Sequence, residues 1–95
     1  MIERHVTFNV IPGKEKEFER LFIEEYQPAM STMPGFVKVE LLRHQEDPTK
    51  YIMTIRFGSL ETAAAWRASE AHAALSPKIK ALYESSSVLV CDVVA

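Results

Sequence analysis

Ninety-five residues, 47% hydrophobic and 25% charged with a formal net charge of −2, have the composition of one soluble globular domain, 1-95, with no room for a second core. The Lys and Arg are scattered rather than clustered, which argues against nucleic acid as a partner, and no apolar run approaches the ~18 residues that cross a bilayer, so no membrane is expected either. Cys91 is the single cysteine and forms no internal disulfide, and no charged start leads into an apolar run, so the expected location is cytoplasmic.

Residues 2–11 alternate, with Arg4, Val6, Phe8 and Val10 on one side and His5, Thr7, Asn9 and Ile11 on the other, which predicts a strand. Pro12-Gly13 ends it. Residues 14–30 then place Phe18, Leu21, Phe22, Tyr26, Ala29 and Met30 three and four apart among Lys and Glu, the pattern of an amphipathic helix. Pro28 predicts that its last turn is distorted or starts a separate piece. The turn MPGF at 33–36 opens a second strand, with Val37, Val39 and Leu41 opposing Lys38, Glu40 and Leu42. A polar connection of hairpin length leads to a third strand with Tyr51, Met53, Ile55 and Phe57 on its apolar side.

Gly58-Ser59 stops that strand, and Ser59 is placed to cap the stretch SLETAAAWRASEAHAAL. Ser69-Glu70 and Ser76-Pro77 both look like helix starts, so three short helical pieces are expected, about 60–67, 70–75 and 77–84. The tail predicts a last strand in which Val88, Val90, Asp92 and Val94 alternate with Leu89, Cys91 and Val93, with Cys91 as a small buried residue.

Strand, helix, strand, strand, helix, strand makes an α+β, ferredoxin-like βαββαβ fold, a four-stranded antiparallel sheet with helices on one face. The strands carry large apolar residues on both sides, yet two helices cover one face. The uncovered face is expected to meet that of a second copy, giving a homodimer and a dimeric α/β barrel.

The alanines around Trp66 favour helix but fill space sparsely, which is how a pocket begins. An ordinary core tryptophan on an Ala-rich helix accounts for the same pattern. Three local patterns coincide: NVIPGKEKEFE closing the first strand, MPGF leading to ELLRH with Tyr51 after a hairpin, and AWRASEAH after the third strand. Together they resemble the antibiotic biosynthesis monooxygenase (ABM) family of dimeric α+β barrels, from about Arg4 to Leu82. The resemblance implies the fold above and one of several activities: cofactor-independent oxygenation of polycyclic phenols and quinols, haem degradation, isomerisation of a small signalling compound, or none. The haem-degrading pattern implies an asparagine seven positions before the turn glycine and an axial histidine ten positions after the tryptophan. Val6 and Ser76 stand there instead; Lys78 is no ready substitute and His72 comes about one turn too early.

Oxygenation without a cofactor needs a substrate that itself reduces O2 once deprotonated, held in a dry pocket. Histidine suits the proton step, and tryptophan offers a flat wall and one N–H donor. On one continuous helix Trp66 and His72 would diverge by about 120°, and a break at Ser69 removes that obstacle. The expected site therefore places His72, Trp66 and Asn9 as catalytic, with Trp66, Tyr51, Phe36, Met33 and Arg43 lining it and His44 beside its mouth. The expected ligand is an aromatic or quinone-like small molecule, with no cofactor and no metal. Duller roles stand beside these: His72 as a capping or solvent-facing residue, Asn9 in the dimer seam or on an edge backbone group, and His44 and His5 at the surface. A non-catalytic binding or regulatory dimer would use the same pocket.

Overall fold

Alternation at the start of the chain becomes strand β1 (Ile2–Val10), with Ile2, Val6, Phe8 and Val10 buried and Asn9 exposed. The computed structural model describes Met1 to Ala95. Gly13 takes a positive φ of 94° in the turn after β1, a conformation that β-carbons disfavour. Helix α1 (Glu15–Leu21) runs without interruption through a π-helical turn (Phe22–Tyr26) into α2 (Gln27–Ser31). The Gln27 N–H donates to Phe22 O, five residues back, just before Pro28, which has no N–H to continue the ordinary ladder. The predicted distortion is thus this wide turn. It matters for the site, because residues four apart drift by about 40° on a regular helix, whereas Phe22, Tyr26 and Met30 all remain buried.

Strand β2 (Phe36–Arg43) pairs with β3 (Lys50–Phe57), β3 with β1, and β1 with β4 (Tyr83–Asp92), all antiparallel, in the order β2-β3-β1-β4. Tyr51, Met53, Ile55 and Phe57 are buried as the alternation requires. Val37 departs from expectation. The register shifts between Phe36 and Lys38, so Val37 is an extra, bulged residue and is 44% exposed, while Phe36, Val39 and Leu41 pack on the core. Cys91 likewise is half-buried on the open face rather than in the core.

Helix α3 (Leu60–Arg67) and helix α4 (Glu70–Lys80) cover the same face as α1 and α2. The break at Ser69 is present, but the one predicted at Ser76-Pro77 is not: Pro77 lies inside α4 and β4 begins at Tyr83. An interior proline removes one ladder hydrogen bond, and burial of Leu75 and Ile79 on either side of it holds the helix to the sheet. All buried side chains belong to one core between the sheet and these helices.

Candidate active site

The stretch after β3 is shaped by two serines. Ser59 Oγ accepts from the Thr62 N–H at 3.2 Å while the Ser59 N–H donates to Thr62 Oγ1 at 3.2 Å, a reciprocal cap that starts α3. Gly35 makes this possible, since a β-carbon there would lie 2.6 Å from Thr62 Cβ. One turn on, Trp66 is 3% exposed. Ser69 then ends one helix and begins the next: its Oγ donates to Trp66 O at 2.7 Å and accepts from the His72 N–H at 3.1 Å. A single hydroxyl therefore fixes how the tryptophan and the histidine sit relative to each other.

The two rings meet nearly perpendicular, centroids 5.4 Å apart at 88°. Tyr26, brought inward by the π-helical turn, stands edge-on to both, 5.7 Å from Trp66 and 6.4 Å from His72. Edge-to-face contact at these separations is favourable. The three rings border a cavity of about 250 Å³ between sheet and helices, walled mostly by apolar side chains such as Val6, Phe8 and Ile79. An apolar cavity of roughly 150 Å³ accepts benzene, so this one has room for a ligand of one or two rings.

Its polar lining is uneven. Arg4, Arg67, Lys80, His72, Ser76 and Ser86 face it. Burial first, and then the positive charges of Arg4, Arg67 and Lys80, lower the pKa of His72 below the ordinary histidine value. The imidazole is thus neutral at neutral pH and able to accept a proton. Burial chiefly, with Tyr83 adding, raises the pKa of the Tyr26 hydroxyl while Arg4 opposes the shift, so Tyr26 stays protonated as a potential donor. A neutral base, a neutral donor and an aromatic wall in one half-enclosed space can bind a flat molecule and move one of its protons.

Of the side chains expected at the site, Trp66 and His72 come together and the others lie elsewhere. Asn9 is exposed on the opposite face of the sheet, where its Nδ2 donates to Ser85 Oγ at 2.8 Å, because strand parity turns it away from Phe8. Tyr51 is under α1, its ring 5.1 Å from that of Phe18 and its hydroxyl donating to the Glu19 carboxylate, and Arg43 reaches the same carboxylate at 3.2 Å. Burial and that carboxylate push the Tyr51 pKa up to about 12. Phe36 packs edge-on to Phe57 and is one side chain removed from the cavity, and Met33 packs against the core. His44 accepts from the Glu46 and Asp47 N–H groups in the exposed hairpin.

Sequence reasoning passed over Arg4 and Tyr26. For Arg4 the signal was available: an arginine in register with Val6 and Phe8 on an inward strand face. Tyr26 looked like any core aromatic at helical spacing, and its place beside Trp66 and His72 depends on tertiary packing. Val6 and Ser76, at the positions of the haem-binding pattern, do line the cavity. Neither offers an imidazole, so the haem-binding pattern is not met at those positions, and the one imidazole of the cavity, His72, stands four positions before the axial one.

Residues 1–78 match the family model described as antibiotic biosynthesis monooxygenase. A variant of SnoaB, a cofactor-independent oxygenase from Streptomyces nogalater, has the same fold with a TM-score of 0.90, at 20% identity over 99% of this chain and 93% of that one. A conserved protein from Methanosarcina mazei Go1 gives 0.86 at 14% identity, covering 95% and 89% of the two chains. PA3566 from Pseudomonas aeruginosa gives 0.84 at 16% identity, covering 99% and 94%. No curated protein matches the chain in sequence.

Proposed function

Because the chain belongs to the antibiotic biosynthesis monooxygenase family, we propose that it is a monooxygenase that oxidises an aromatic, quinol-type small metabolite in the Trp66 cavity without metal or flavin. The observation that carries this reading is the convergence of Trp66, Tyr26 and a neutral His72 on one apolar cavity. SnoaB, which has the same fold and is itself a cofactor-independent oxygenase, supports it.

The chemistry follows from those groups. A phenolic O–H bond breaks as His72 takes the proton, and the phenolate transfers one electron to O2. The resulting substrate radical and superoxide join in a C–O bond at a ring carbon that bears hydrogen, and the imidazolium returns its proton to the peroxide. Cleavage of the O–O bond with loss of that carbon's proton releases water and leaves a carbonyl. One oxygen atom is retained and the other reduced, with both electron pairs supplied by the substrate. The protein binds the ring, takes and returns one proton, and keeps water away from the anion.

Oxygen uptake with a dihydroxynaphthalene whose para carbon is free tests this, the product being the hydroxynaphthoquinone. Loss of a general base typically lowers rate by about 10²–10⁴, so His72→Ala should fall in that range while Trp66→Phe chiefly weakens binding. Equal turnover in both variants would remove the assigned site. A non-catalytic binding dimer is the second reading, favoured by the want of any hydrogen bond from the chain to the His72 ring, only its backbone N–H being held. Quenching of Trp66 fluorescence without oxygen consumption would favour it.

The same reading includes pairing of two copies through the open sheet face. Cross-strand rows there set Leu42 beside Ile52 and Thr54 beside His5, with Leu89 flanking His5 on the far side. Leu42 and Leu89 are 47% and 61% exposed, and Thr54 Oγ1 is buried with no hydrogen-bond partner. An apolar face with an unsatisfied hydroxyl suits a self-complementary interface. A dimeric native mass that becomes monomeric in Leu89→Glu is expected; a monomeric wild type would contradict it.

A further inference from the structure

The cavity has a charge pattern that the whole chain lacks. Thirteen acidic residues outnumber eleven basic ones overall, yet Arg4, Arg67 and Lys80 line the cavity and no Asp or Glu does. None of the three takes part in any ion pair of the chain. Arg4 is the most telling. On the inner face of the two central strands it is the one charged side chain, flanked by Ile55 on β3 and Val90 on β4. Its Nε is buried without a hydrogen-bond partner.

A half-buried guanidinium with an unused donor, beside two further cations, is unfavourable unless an anion joins it. The lowered pKa of Arg4 itself, from burial and then from Arg67, agrees with that crowding. The aromatic walls of Trp66 and Tyr26 line the same cavity.

We propose that the natural ligand is an aromatic acid, its ring against Trp66 and Tyr26 and its carboxylate on the guanidinium of Arg4, with Arg67 and Lys80 completing the anion site. The inference rests on the functional reading above only in taking this cavity as the substrate site. A planar guanidinium presents parallel N–H donors that match the two oxygens of a carboxylate, and it stays charged at any pH the protein survives. The carboxylate is bound before and after His72 takes the phenolic proton. It therefore governs which aromatic molecules enter and how tightly they are held.

The test is binding, read by Trp66 fluorescence, of a hydroxynaphthoic acid and its methyl ester, which present the same rings with and without the charge. Wild type should bind the acid about tenfold or more tightly, the factor that one charge-assisted contact supplies, and added salt should shrink that preference. In Arg4→Met the preference should fall severalfold, Arg67 and Lys80 keeping a salt-sensitive remainder, while ester affinity is kept, which shows the cavity intact. Equal affinities in wild type would overturn the inference, as would an undiminished preference in Arg4→Met; if that variant does not fold, the wild-type pair and its salt dependence decide alone. Tight binding of the acid with no oxygen uptake would leave this inference standing and sink the monooxygenase reading. Turnover of a neutral naphthalenediol with no preference for the acid would do the reverse.

Discussion

Replacing Ser69 with alanine removes one hydroxyl and two hydrogen bonds, the 2.7 Å contact to Trp66 O and the 3.1 Å contact from the His72 N–H. Loss of an N-cap costs ~1 kcal/mol and the second bond about as much again. The total of about 2 kcal/mol lowers the thermal midpoint of a chain this size by on the order of 10 °C. Ser59→Ala is the matched control, since it removes the cap of α3 without touching the join between the site residues. Trp66 is the only tryptophan and its ring lies 5.4 Å from that of His72, so its emission reports the ionisation of that imidazole as pH is varied. Both variants should lose stability. Only Ser69→Ala should also lose most of the pH-dependent change in emission and bind aromatic ligands more weakly. Wild-type pH profiles and ligand affinities in both variants would refute the role given to that hydroxyl.

Because the pKa of His72 is lowered on folding, the unfolded chain binds a proton that the folded chain resists. Stability is therefore full above about pH 6.5 and falls as pH drops from there to the lowered folded value; urea unfolding across that window should show the slope, and His72→Phe should abolish it. An unchanged slope in the variant would contradict the assignment. Tyr51→Phe removes the bond to Glu19 and should cost ~1 kcal/mol with no change in oxygen uptake, since Tyr51 lies outside the cavity; a loss of activity would show that the site extends under α1. Gly35→Ala adds a β-carbon 2.6 Å from Thr62 at a φ of 80°, whereas at Gly13 nothing lies within 4 Å. Chemical denaturation should thus find Gly13→Ala destabilised by about 1–2 kcal/mol and Gly35→Ala by roughly 2 kcal/mol more, and equal losses would contradict the close approach.

Those outcomes depend on features of differing legibility. The order of elements was readable because β1 and β3 alternate and because glycine or proline punctuates the turns as far as the start of α3. Ser69 was readable as a cap, and with it the bend that lets Trp66 and His72 meet. Pro77 misled, since a local helix-start signal was overridden by the burial of Leu75 and Ile79. The bulge at Val37 follows from how β2 registers on β3 beyond a turn, which no periodicity within β2 reveals. Asn9 pointed away by parity alone, and Tyr51 was misplaced because a residue on the correct face can still lie under the other helix. Arg4 is the instructive case: charge on an apolar strand face was visible in the sequence, but its value as a site residue emerged only when Arg67 and Lys80 were found beside the same cavity.

The proposed monooxygenase activity places an oxygen atom from O2 into an aromatic ring held in this cavity. Heavy-isotope dioxygen supplied with a dihydroxynaphthalene, followed by mass measurement of the product, tests it most directly. The expected product is a hydroxynaphthoquinone carrying one labelled oxygen per turnover, with the second labelled atom leaving as water, and it is lost in His72→Ala. A product without label, or label gained equally without the protein, would contradict it.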